Sequence, residues 1–261
     1  MARAPLPEWV ATTVHGVVSR LDQAVNAGDR GEVARLLGLL DGDIQLTPFL
    51  RDAVEQGHTA LVGDLLAYPR ALNDRGDSGL ITAACVHGDR AMVQQVANFQ
   101  GNPANLAWAV AQARRDDLVD LVDPAAFTPH TRDQQLAMAT LAGHRALVKH
   151  LLPTANANAG HGIALRRAAL HQHWAIVADL VPVTDLAVVY ARLSAEARIA
   201  DAGHWAALDG IGVCAPAAIQ DQWLAAVGEH LPWTRRRRTA QARQSTLDAA
   251  PNPAARPRVR P

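Results

Sequence analysis

The stretch MATLAGHRALVKHLLPTANANA (138–159) would read as one apolar helix but for Gly143 and His144. A glycine inside a helix costs about 0.5–1 kcal/mol relative to alanine, so Gly143 marks a corner between two short helices. The pattern is a small residue, a turn residue four positions on, and an apolar pair four positions after that. It recurs along the chain. Ala53, Gly57, Leu61 and Val62 stand in that register, as do Ala84, Gly88, Met92 and Val93. Val110, Arg114, Leu118 and Val119 follow it, then Ala139, Gly143, Leu147 and Val148, then Ala168, Gln172, Ile176 and Val177. Ile199, Gly203, Ala207 and Leu208 form a late copy, and Ala24, Gly28, Val33 and Leu36 an early one. The turns fall at 28, 57, 88, 114, 143, 172 and 203, spaced by 29, 31, 26, 29, 29 and 31 residues.

Self-similarity at such a period predicts a solenoid, in which each unit buries its apolar face only against its neighbours. The expected fold is all-α, with about seven helix-turn-helix units. Composition agrees: aromatic residues make up only 4% of the chain, which suits closely spaced short helices. Residues 1–20, with the segment WVATTVHGVVSRL starting at Trp9, are expected to cap one end, residues 21–216 to form the repeats, and 217–233 to form a C-terminal capping helix.

The string A…GH…LV..LL, clearest at 139–152 and 53–66, resembles the inner helix, turn and outer helix of the ankyrin-repeat family. The linkers ALNDRGDSG (71–79) and TANANAG (154–160) look like that family's Asn- and Asp-rich hairpin finger. The resemblance covers roughly residues 20–212. The units are shorter than the family's 33 residues, no TPLH occurs, and Arg114 and Gln172 replace the turn glycine. Degenerate ankyrin-like repeats with shortened fingers are therefore expected, with a general helical solenoid as the alternative.

No run of 18 apolar residues is present, and the N-terminus lacks the apolar core of a secretory signal, so neither a membrane span nor a signal peptide is expected. Cys85 and Cys214 sit far apart in apolar contexts and read as small buried hydrophobes in a reducing compartment. The resemblance implies that His58, His144 and His204, each following a turn glycine, are structural. The cluster His171–Gln172–His173 lacks the further ligands zinc requires, so no metal site is expected. No phosphate loop, nucleophile elbow or zincin motif occurs, and no catalytic residue or cofactor is assigned.

These readings favour a protein-protein interaction scaffold, with an enzyme whose unrecognised active site lies in the solenoid groove as the alternative. The resemblance implies a concave binding surface built from inner-helix positions flanking the small residue. In this sequence those positions are Asp52, Glu55 and Gln56, then His87, then Arg167 and His171, then Arg198; Trp108 and Arg166 lie one position further upstream. The expected partner is a protein of unknown identity. A cytoplasmic adaptor, a toxin-neutralising protein, and an effector secreted into a host cell all fit this reading. No small-molecule substrate is expected.

Charge is divided along the chain. Residues 235–261 hold eight Arg against Asp248, a balance of +7, whereas residues 1–234 carry 17 basic and 24 acidic residues, a balance of −7. The tail has too little apolar surface to offset the entropy of ordering and is expected to be disordered. Nucleic-acid binding is not expected of the acidic body, leaving the Arg-rich tail as the one place for it. Deleting 235–261 is predicted to move the thermal midpoint by less than about 2 °C, because no core is lost. A cooperative loss of folding in a melting experiment would show instead that the tail is part of the folded structure.

Overall fold

The computed structural model describes residues 8–40, 45–68, 78–186 and 215–227, with the single positions Ala207 and Ile211; within them the chain is helical and contains no strand. The repeat copy at 199–211, with Gly203, His204 and Trp205, lies almost wholly outside the described residues, as do Cys214, 71–77, Trp233 and the tail.

The chain divides into two compact units, Met1–Asn156 and Ala157–Pro261. In the first, α1 (Glu8–Asn26) pairs with α2 (Arg30–Leu39), α3 (Thr47–Glu55) with α4 (Thr59–Ala67), and α5 (Ser78–His87) with α6 (Arg90–Gln100). Next, α7 (Pro103–Ala113) pairs with a 3-10 segment (Asp116–Leu121), and α8 (Pro129–Ala142) with α9 (Arg145–Leu151). The first helices of the pairs pack in the order α1, α3, α5, α7, α8, while α4 packs on α6 and α9 on the 3-10 segment. In the second unit α10 (Ala159–Leu170) pairs with α11 (Trp174–Leu180), on which α12 (Ala217–Val227) packs.

The corners explain the sequence pattern. A helix has no internal partner for its last carbonyls, and a residue at positive φ lets the following N–H groups turn back onto them. Gly28, Gly57 and Gly143 adopt φ of 69°, 76° and 73°. The small residue of the pattern is the acceptor: Ala24, Ala53, Ala139 and Ala168 take N–H bonds from Asp29, His58, His144 and His173 at 2.9, 2.9, 3.1 and 2.9 Å. A second bond closes each corner, from the turn residue back three positions, as from Gly57 to Val54 at 3.0 Å. Arg114 and Gln172, the two departures from glycine, hold the same left-handed conformation at φ 53° and 57°. They carry a strain of roughly 1–2 kcal/mol that glycine would avoid.

The residue after each turn starts the second helix. Asp29 accepts from the Glu32 N–H at 3.0 Å, Asp89 from Met92 at 2.8 Å, and His144 Nδ1 from Leu147 at 3.2 Å. Such caps contribute about 1 kcal/mol each. His58 instead donates from Nε2 to the Asn26 carbonyl of the preceding corner at 3.2 Å. A Cβ on Gly28 would lie 2.9 Å from that ring, so Gly28 serves both the backbone and the seat of His58. Beyond the cap, the apolar pair faces back onto the first helix. Leu61, Val62, Leu147, Val148, Ile176 and Val177 are all buried. Each such side chain is worth about 1.5–3 kcal/mol in burial.

Polar side chains repeat the same spacing. Arg30 grips Asp64 at 2.6 and 2.9 Å, Arg90 grips Asp120 at 2.6 and 2.7 Å, and Arg115 donates to the Cys85 and Gly88 carbonyls at 3.3 and 3.2 Å. Each reaches across about one period. The ion pairs are exposed and therefore weak; the bonds to backbone carbonyls tie one corner to the one before.

Several expectations are corrected. Gly88 makes its turn without a positive φ; a Cβ there would come within 2.7 Å of the Ala84 carbonyl oxygen and Met92 Sδ, so close approach is what requires glycine. The second segment of the copy at Arg114 is 3-10 and not α, and α6 reaches α7 through Gly101 and Asn102 alone, which accounts for the short spacing. The linker 154–160 forms no hairpin: it is a series of turns entering a left-handed run at Gly160, His161 and Gly162. No helix break separates the expected cap at 1–20 from the repeats, because α1 runs through it. Cys85 is buried, and burial pushes its thiol up to about 12, in keeping with a core residue.

Gln172→Gly is predicted to stabilise the chain by about 1 kcal/mol, and Gly57→Ala to destabilise it by a similar amount. Open space surrounds the Gly57 Cβ position, so only the backbone penalty applies. Denaturant titration of both variants measures it; a gain for Gly57→Ala would mean the corner is not left-handed.

Candidate interaction surface

The corner geometry fixes where the candidate residues lie. Since the small residue is the acceptor four positions before the turn, residues two and three after it end the first helix of each pair. Glu55 is the last residue of α3 and Gln56 its C-cap; His87 ends α5 and His171 caps α10. All four are exposed. Positions before the small residue lie deeper, where neighbouring helices meet. Asp52, Trp108 and Arg167 are half-buried.

Arg166 departs from its expected place on the groove. It is 5% exposed, and its guanidinium donates to the Gly160 carbonyl at 2.9 Å, bracing the left-handed run that opens α10. Its register, two positions before Ala168, turns it between helices. Arg198 lies outside the described residues.

In the first unit the packing of α3 on α5 and α5 on α7 sets Asp52, Glu55 and Gln56, then His87, then Trp108 on successive helices. Arg166, Arg167 and His171 belong to α10 of the second unit. The rings of His171 and His173 stack, with centroids 5.9 Å apart and planes at 22°. Among the described residues no three His, Cys, Asp or Glu side chains are grouped to hold a metal ion, and no helix is long and apolar enough to cross a membrane.

Sequence reasoning missed two features of this face. Asp22 on α1 sits beside Asp52. Burial first, and then the charges of Asp22 and Glu55, push the Asp52 carboxyl above the usual carboxylate range, with Arg51 acting in the opposite sense. The other feature is apolar: Val86 is 53% exposed and Leu170 38%, both two positions after the small residue, like Glu55. The register that selected Glu55 selects them as well; only the habit of assigning apolar side chains to the core hid them.

The acids also work against their own helix. Asp52 and Glu55 lie in the last turn of α3, where the helix dipole presents its negative end, an arrangement unfavourable by about 0.3–1 kcal/mol per exposed charge. Because Asp52 holds its proton more readily folded than unfolded, ionising it costs the folded state. That cost is absent below the usual aspartate range, grows as pH rises through it, and is complete above the raised folded value. Asp52→Asn is therefore predicted to raise the thermal midpoint at pH near 7 and to lose that advantage at pH below about 3.9. Melts of both proteins at the two pH values test this; an equal offset at both would mean that Asp52 does not bear an uncompensated charge.

Compared with family models, curated proteins and solved structures, the chain matches none of them.

Proposed function

We propose that this chain is an ankyrin-like helical-repeat solenoid that serves as a protein-interaction scaffold, binding a partner protein through the last turns of the first helix in each pair. The observation that carries this reading is the exposed row at one register position. Glu55, Val86 and Gln112, two residues after the small residue on α3, α5 and α7, are all exposed although their helices pack side by side. A row with an acid, an apolar residue and an amide at regular spacing offers a partner mixed chemistry on a rigid support. The acids placed against the helix dipole support the same reading, since residues that break a local rule without local compensation tend to belong to working sites. The scaffold would act in the cytoplasm, of its own cell or of a host that receives it, without a cofactor.

The test compares two surfaces. Glu55→Lys with Val86→Glu alters the proposed face, whereas Arg145→Ala with Lys149→Ala alters α9 on the other side of its pair. Partners captured by cross-linking from the source cell and quantified by mass spectrometry should fall at least about tenfold with the first double variant, or about 1.4 kcal/mol, and stay level with the second. If the α9 variant proves the damaging one, the partner does not use the proposed face.

A further inference from the structure

His144 is 3% exposed, and its two ring nitrogens have unequal surroundings. Nδ1 accepts the Leu147 N–H at 3.2 Å, which requires that Nδ1 carry no proton. The neutral ring then bears its proton on Nε2. That atom is buried with no hydrogen-bond partner among the described residues, and Asp116 Oδ1 lies 3.7 Å from it, beyond hydrogen-bonding range. An N–H left unpaired in the interior is a cost that proteins usually avoid.

Two elements pack on α9: α8 and the 3-10 segment Asp116–Leu121. From the 3-10 segment, Asp116 faces the ring, while Asp117 is held by Arg115 at 2.7 Å and Asp120 by Arg90 at 2.6 Å. From the α8 side, Arg114 donates to the Ala142 carbonyl at the corner itself. The charged and titratable residues of α8, His130, Arg132 and Asp133, lie in its first five residues, roughly 15 Å or more from the corner at helical rise. On α9 itself, Arg145 follows the cap and Lys149 and His150 lie in the last turn. Asp116 is thus the carboxylate next to the ring, and its side chain is 81% exposed.

We propose that His144 is an acid-sensitive cap, exchanging its bond to the start of α9 for an ion pair with Asp116. Taking up a proton at Nδ1 removes the acceptor of the Leu147 N–H and turns the ring into a cation. The Asp116 carboxylate then closes the short remaining gap to Nε2–H, satisfying the group the neutral form leaves unpaired. The first turn of α9 loosens as the 3-10 segment of the preceding pair is drawn to the corner. The device is independent of any binding partner.

Nuclear magnetic resonance on the full chain tests this as the pH is lowered from about 8 to about 5, and a ring that stays neutral throughout overturns the proposal. In the neutral form the ring nitrogen shifts should show the Nε2–H tautomer. As the His144 ring becomes charged, the hydrogen-exchange protection factor of the Leu147 amide should fall about tenfold, the size of a lost helix cap. The Asp116 carboxyl carbon shift should move with it. His144→Asn supplies a cap that does not titrate in this range, so Leu147 should stay protected throughout and Asp116 should not respond. The proposal is overturned if Leu147 protection holds while the ring titrates, if Asp116 does not follow the ring, or if His144→Asn loses protection to the same extent.

Discussion

A single backbone residue in the left-handed region, with the hydrogen bonds it permits, is the constraint on which every described helical pair but α5–α6 depends. At Gly28, Gly57 and Gly143 the turn residue and its successor return their N–H groups to the last carbonyls of the helix. This gives two of the last carbonyls a partner and reverses the chain in about two residues. The acceptor of the longer bond is the small residue of the pattern, which is buried where adjacent helices approach. Its size serves the packing between helices; its carbonyl serves the corner. Arg114 and Gln172 take the same conformation at an energetic cost, so the position demands a geometry more strictly than a residue type.

From the corner follows the period. Once the chain turns at a fixed place, the apolar pair four residues on must face back to the helix just left, and each pair of helices is left with an apolar side to cover. The covering is done by the next pair, as the successive packing of α1, α3, α5, α7 and α8 shows. Side chains reinforce that order at the same spacing: His58 reaches the Asn26 carbonyl, Arg115 the Cys85 and Gly88 carbonyls, and His150 the Val122 carbonyl at 2.7 Å. These bonds to backbone carbonyls join one corner to the one before. The period itself tolerates change in the connections, as the two-residue link between α6 and α7 illustrates.

The exposed row of the first unit is a by-product of the same geometry. Glu55, Gln56, Val86, His87 and Gln112, near the ends of α3, α5 and α7, are exposed, whereas Leu141 and Ala142 at the end of α8 are half-buried. Asp52 and Glu55 at the negative end of α3, and Val86 exposed on α5, are choices that neither helix stability nor burial explains.

Much of this was legible in the sequence because the corner is local. Residues four apart along one helix end, and the apolar pair beyond, are written as a linear pattern, and the pattern located all six turns from Gly28 to Gln172. Glu55, Gln56, His87 and His171 were singled out by the ankyrin resemblance applied along the register, and they are exposed. What required the tertiary structure was whatever depends on residues about thirty positions apart. Gly88 is a glycine because Met92 and the Ala84 carbonyl crowd it, and no φ preference reveals that. Arg166 is buried because its register faces between helices and the Gly160 carbonyl receives its guanidinium. The pairing of Asp22 with Asp52, and of His144 with Asp116, joins neighbouring helical pairs, as does the choice of His58 to bond the previous corner while His144 caps its own helix. Local hydrogen bonds set where the chain turns; contacts one helical pair away decide what each side chain at the turn then does.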